Sequence, residues 1–506
     1  MRAIRMKLAT LFAGLLAAQG LLMPASGQNQ PDPVDALFQP LAPAPSAQTR
    51  PGGIKPGPPG SIVPTVLPDG STGMVVRPNS SRRTLGPRRP PFELREGDRV
   101  LFLGDGLLEQ EAAHGFLETR MTSQYPDRNI TFRNLSGEAD TPLAAAPSTT
   151  NEPAKWLPPL LTRIGGLKPN MVVVGYGAGA SAGGEEGLAS FKTNYIRLLD
   201  GIKALSTNQP RFVLLTPVAP AGAAGPGAET NQLNQKPSIY AQAIRELATN
   251  HTADLIDVFE FTRQDAANAQ RRAEATKTKL PPLTEPGPRL TPYGCWRVTF
   301  LMERDFRWPP NTWRFGLRPD NSFREQGFGV RFIEHRRTDT NVVAVTLEDR
   351  LPTPNPAGYV ELDPSAKPHC YIQIPAFKPG RYAYKVDDKQ VFVGTDTEWA
   401  RFEVIAQGPQ WEQAEQLRQA IVKKNEAYRA ACKRRDKPAE AASSSEPNAA
   451  ASPDADPAVV EWEGKIKKLR KPVVHTLEVV QIEAGASQPA GPSSSPPGTA
   501  PATGSK

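Results

Sequence analysis

Apolar and polar positions along this chain follow two different rhythms. From Phe92 to about Arg304, short apolar runs (Val100–Leu103, Ile130–Phe132, Met171–Gly175, Phe212–Thr216, Leu255–Phe261) alternate with longer stretches of helical spacing. The helical stretches include Leu107–Tyr125, Gly187–Ala204 and Asn231–Asn250; in the last, Leu233, Tyr240, Ile244 and Leu247 recur about once per turn. Strands that alternate with helices of this length predict an α/β fold, with a parallel sheet between two layers of helices.

After Trp308 the rhythm shortens. Val330–Ile333, Val342–Leu347, Tyr371–Ile374, Tyr382–Val386, Gln390–Val393 and Phe402–Ile405 read as strands, and Asp387-Asp388-Lys389 reads as a hairpin turn. These strands predict a small all-β, sandwich-like domain over 308–406. Trp411, Ala414, Leu417, Ile421 and Tyr428 then mark a helix over 411–432. Trp462, Ile466 and Leu469 mark a second within the segment 459–480. The Ala/Ser/Pro/Asp-rich stretch between them, 433–458, reads as a flexible loop, and 481–506 as a low-complexity tail.

Composition changes the picture at the ends. Arg2, Arg5 and Lys7 precede an apolar run ending near Met23, and Ala25-Ser26-Gly27 supplies small residues, so 1–27 has the layout of a secretory signal peptide. Residues 28–91 are rich in Pro, Gly and Ser and read as a disordered linker. The expected location is therefore periplasmic or extracellular, with no membrane span in the mature chain. Three cysteines (Cys295, Cys370, Cys432) make no disulfide scaffold and match no zinc spacing. A formal charge of +8 suits solubility, and secondarily a surface resting on anionic wall polymers. An exported protein rarely meets nucleic acid, so no nucleic-acid partner is expected.

The stretch Arg99–Thr141 carries the candidate chemistry. Its apolar run stops at Gly104-Asp105-Gly106, at the carboxyl end of a buried strand, where parallel sheets place their ligands. The phrases Phe-Leu-Gly-Asp at Phe102, Phe132-Arg-Asn-Leu, Ala139-Asp140-Thr141, Tyr176-Gly177 and Leu290-Thr-Pro-Tyr-Gly294 occur in order. With them, 92–304 resembles the SGNH (GDSL-type) hydrolases. The match is nearest to secreted bacterial members with an added β-domain and a helical tail, whose tail is matched by Gln416–Asn425.

The resemblance implies an SGNH-type three-layer fold and, position by position, a lost active site. The nucleophile position is Gly106 and the third-block amide position is Gly179. In the last block the aspartate position is Pro286 and the base position is Arg289, which stays protonated and cannot act as a general base. The second-block glycine position is matched by Ser136, with Gly137 beside it as a remaining backbone donor. Asp105 and Asn134 read first as loop-stabilising residues, and Ser136 and Ser181 as the only serines placed to substitute for the nucleophile. His114 and His251 read as packing or surface residues. Neither a metal nor a cofactor is expected. Three readings follow, one of them a purely structural protein whose loops have closed the pocket. Another is a catalytically degenerate binding or scaffold protein of the cell envelope, with an envelope glycan or acylated polymer as ligand, contacted at Asp105, Asn134, Ser136, Gly137, Ser181 and Arg289. The third is an esterase or carbohydrate deacetylase with a relocated nucleophile.

Overall fold

A computed structural model of the chain describes residues 62–66, 72–76, 90–137, 143, 153–206, 209–220, 228–276, 281–285, 289–309, 313–325, 329–356, 370–401, 403–436 and 452–482. The signal segment expected at 1–27, Pro286 and the tail from 483 lie outside these residues. Within the stretch read as a disordered linker, β1 (Ile62–Val66) and β2 (Thr72–Val76) form an antiparallel hairpin. That corrects the linker expectation: both runs are rich in β-branched residues, and Pro68-Asp69-Gly70 between them is turn chemistry.

The parallel sheet contains β3 (Arg99–Gly104), β4 (Thr131–Asn134), β5 (Met171–Gly175), β6 (Arg211–Leu215) and β7 (Asp254–Ile256), in the order β4-β3-β5-β6-β7. All four pairings are parallel, and the order is the doubly wound 2-1-3-4-5. Successive side chains on a strand point to opposite faces, so each strand feeds two cores. Val100, Phe102 and Val173 pack with α1 (Gly106–His114), α2 (Phe116–Gln124) and α7 (Pro292–Phe306) on one face. Leu101, Leu103 and Val172 pack on the other with α3 (Pro153–Leu167), α4 (Gly184–Ala204) and α5 (Ala228–Asn250).

Several expectations are corrected here. Leu255–Phe261 is not one strand: β7 ends at Ile256, and α6 (Val258–Thr276) begins after Asp257, whose Oδ1 accepts from Glu260 N at 3.2 Å. Leu107–Tyr125 is two helices, broken at Gly115. There φ is +68°, and an added Cβ would lie 3.1 Å from Val422 Cγ2. Gly115→Ala therefore meets left-handed strain and a tight contact together. It is expected to lower stability by about 2–4 kcal/mol in urea unfolding, whereas an exposed Gly464→Ala raises it slightly.

In the β-unit, β8 (Arg314–Leu317), β9 (Phe323–Glu325), β12 (Cys370–Gln373) and β15 (Glu403–Ile405) form one sheet, ordered β15-β12-β8-β9. The facing sheet contains β10 (Val330–Arg337), β11 (Asn341–Glu348), β13 (Arg381–Val386) and β14 (Lys389–Thr395), followed by the short helix α8 (Asp396–Trp399). The β13–β14 turn has positive φ at both Asp387 (+49°) and Asp388 (+67°), as a type I′ hairpin requires.

The expected limits 308–406 do not close this unit. Trp308 belongs to the α/β core, where its Nε1 donates to Phe92 O at 2.5 Å. At the other end, β16 (Val474–Ile482) inserts between β11 and β13 as the middle strand of the five-stranded sheet. The chain reaches β16 through α9 (Pro409–Asp436) and α10 (Pro457–Leu469). The segment 433–458 starts as the end of α9 and finishes with a 3-10 turn at Pro453–Ala455, so its flexible-loop reading fails at both ends.

Helix α9 is built into the α/β body. Lys424, 2% exposed, pairs with Glu118 of α2, 3% exposed, and donates to Phe132 O of the edge strand β4 at 3.1 Å. Arg133 of β4 pairs with Asp454 and Glu463, and its guanidinium lies 5.1 Å from the Tyr428 ring centre. The outer edge of the sheet is thereby covered, which removes a site for stray strand pairing.

Candidate functional site

The candidate site lies where β3 and β5 end. Asp105 follows β3 and precedes α1, the usual place for a helix cap, but its carboxylate does not cap that helix. It reaches across to the loop after β5, accepting from Gly179 N at 3.0 Å and Ala178 N at 3.4 Å, while its own N–H donates to Gly175 O at 3.1 Å. These bonds hold the two loops together. Burial pushes the Asp105 carboxyl up to about 7, against the opposing pull of those amides.

That shift has a measurable consequence. The folded-state value exceeds the unfolded one, so folding takes up a proton between them. Stability is therefore favoured at low pH and lost as pH rises from about 4 through about 7. Glu111, pushed up to about 8 by burial, acts in the same direction. Asp105→Asn should remove the Asp105 part, on the order of a few kcal/mol. The difference in Tm between variant and parent should accordingly move in the variant's favour from pH 4 to pH 8. A constant difference would show that Asp105 ionises normally.

Gly106 has φ +47°, and a Cβ there would lie 3.2 Å from Ala178 Cβ. The backbone at the nucleophile position is thus one that a side chain enters only under strain. The neighbouring block is also committed. Asn134 Nδ2 donates to Leu108 O at 2.9 Å, and its Oδ1 accepts from Ser136 N at 2.8 Å. Gly137 N donates to Gly104 O at 3.1 Å. The backbone donor expected to survive at 136–137 is therefore spent, because both amides fasten this loop to β3 and β4. Ser136 Oγ is buried and has no hydrogen-bond partner among the described residues. In the third block, Gly179 N is taken by Asp105, and Ser181 Oγ donates to Ala178 O at 2.8 Å.

Arg289 does not join this group. It is exposed, and its Nε lies 3.7 Å from Glu285 Oε2. The adjacent Leu290 is fixed by Gln110 of α1, which accepts from Leu290 N at 2.8 Å and donates to Leu290 O at 2.6 Å. This side-chain clamp on the last block was missed in the sequence, where nothing local marks a residue 180 positions away. The described histidines lie elsewhere. His114 ends α1, where burial first, and then the nearby Arg418, hold its imidazole pKa down. His251 contacts Lys203, His335 contacts Asn321 O, and His475 pairs with Asp387. No group of three or more His, Cys, Asp or Glu residues able to hold a metal occurs among the described residues, and no helix there is long and apolar enough to cross a membrane.

The chemistry this arrangement offers is narrow. Acyl transfer needs a nucleophile, a base within hydrogen-bond reach and free donors for the oxyanion. The amides of 136, 137, 178 and 179 are bonded to the protein itself, and among the described residues the Ser181 hydroxyl faces a carbonyl and the Ser136 hydroxyl has no partner. What remains is a buried carboxyl near neutral pKa beside small residues.

No family model and no curated protein matches the chain. Among solved structures, a gut microbial diltiazem-metabolizing enzyme is similar, with a TM-score of 0.57 and 14% identity, covering 78% of this chain and 99% of its own. An acetyl xylan esterase covers 41% of this chain and 98% of its own at 16% identity and a TM-score of 0.29. A carbohydrate acetylesterase family member from Sinorhizobium meliloti covers 42% and 97% at 14% identity and a TM-score of 0.28. The first of these likenesses extends over most of the chain and concerns fold alone.

Proposed function

We propose that this chain, whose α/β body has the SGNH-hydrolase-like fold, is an exported, catalytically degenerate member of that architecture that binds an acylated envelope glycan or scaffolds it. The observation that carries the reading is the state of the sheet-end site. Gly106 stands at the nucleophile position, and Asp105 occupies the amides of the third-block loop. A polymer resting on this basic chain would be held without being cut.

Immobilised full-length protein should retain an O-acetylated peptidoglycan digest at least several-fold better than the same digest after mild alkali, and should release no acetate. Acetate release would establish the competing reading, an esterase or deacetylase acting through a relocated nucleophile. Equal failure to retain either digest would remove the binding reading. The competing reading draws on the fold shared with a gut microbial enzyme, but neither the Ser181 nor the Ser136 hydroxyl has a base as hydrogen-bond partner among the described residues.

A further inference from the structure

The carboxyl-terminal helices leave a groove far along α1 from Gly106. A cavity of about 540 Å³ opens between the last turn of α1, at Ala113, and the helices α9 and α10. That volume lies within the range of sites that enclose small molecules. Val422, Trp462 and Leu469 provide its apolar wall, and all three are partly exposed. Among the described residues, Arg418, Lys423 and Lys465 are the charged ones that line it, and no Asp or Glu does.

We propose that this groove binds a free long-chain carboxylate, with its alkyl chain along Val422, Trp462 and Leu469 and its head group among Arg418, Lys423 and Lys465. Charge complementarity selects an anionic head, and a concave apolar wall selects a chain rather than a flat surface. Arg418 is held in place: Nη1 donates to His114 O at 2.6 Å, Nε and Nη2 contact Glu415, and its guanidinium stacks 4.9 Å from the Phe116 ring centre. It supplies a fixed positive edge where α1 ends. The two lysines are more exposed by comparison. Lys423 pairs with Glu426 and Lys465 with Glu461, each across exposed side chains, and such pairs give way readily to a better-placed anion. Lys465 Nζ also lies 3.8 Å from the Trp462 ring centre, so the cation and the apolar wall are adjacent.

Calorimetric titration of the full chain with sodium octanoate, decanoate and dodecanoate below their micellar concentrations tests the proposal. Affinity should rise about fourfold for each methylene added, as for burial of an alkyl chain. Lys423→Glu with Lys465→Glu should weaken decanoate binding tenfold or more and leave decanol binding unchanged. Trp462→Ala should weaken both. If charge reversal disturbs the helices, as far-UV circular dichroism would report, Lys423→Gln with Lys465→Gln serves instead, with a loss of severalfold expected. Affinity independent of chain length, or decanoate binding indifferent to these substitutions, would overturn the proposal. So would binding to anionic vesicles alone, which would identify a membrane surface.

Discussion

Short acyl esters such as p-nitrophenyl acetate should be turned over by the purified chain no faster than by buffer. Loss of nucleophile or base in a serine hydrolase lowers turnover about a million-fold, and the two losses do not add. Here Gly106 offers no nucleophile, and Ser181 Oγ has its proton directed at Ala178 O rather than at a base. Fluorophosphonate probes should therefore leave Ser136 and Ser181 unlabelled. Gly106→Ser alone should stay silent, because it acquires a hydroxyl at φ +47° with a Cβ contact of 3.2 Å and no imidazole to deprotonate it. Gly106→Ser with Arg289→His should recover at most a trace. Residue 289 is exposed beside Glu285, and the amides of 136, 137 and 179 are already bonded. Turnover that vanishes in Ser181→Ala would overturn this and locate a relocated site.

Lys424→Ala should be the most damaging single change outside the sheet. It leaves the buried carboxylate of Glu118 with the Asn425 amide at 3.4 Å as its remaining side-chain partner, and uncovers Phe132 O. Removing one member of a buried ion pair costs about 3–5 kcal/mol, because the charge left behind stays desolvated. Burial holds the Lys424 ammonium below its usual range, and the attraction of Glu118 opposes that shift. Lys424→Met with Glu118→Leu removes both charges and should restore most of the loss. Chemical denaturation of the parent and these two variants checks both expectations. A Lys424→Ala variant within 1 kcal/mol of the parent would mean that α9 is not anchored by this pair.

The local signals in the sequence specify local structure well. Met171–Gly175 is β5 as read, because four apolar residues buried on both faces permit nothing else so short. The hairpin at Asp387-Asp388 was legible for a similar reason, since the turn needs residues that tolerate positive φ. Helix α3 was not legible. Pro158 and Pro159 lie inside it and argue for a break, yet Trp156, Leu160 and Ile164 fall on one face and bury against the sheet. Tertiary packing there outweighs a poor local propensity.

The candidate site divides in the same way. That Gly106 has no nucleophile and Arg289 no basic lone pair follows from side-chain identity alone. That the amides of 136, 137 and 179 are spent follows only from the folded loops, since a hydrogen bond depends on where a donor points. The β-unit shows the largest gap. Its middle strand, β16, lies beyond two helices; in the α/β body, Lys424, which helps cover the edge of the parallel sheet, sits 306 residues from its partner Glu118. Periodicity reports which face of an element is buried, but carries no information about which distant element buries it. That choice is made by shape and charge complementarity between faces, and these exist only once the chain has folded.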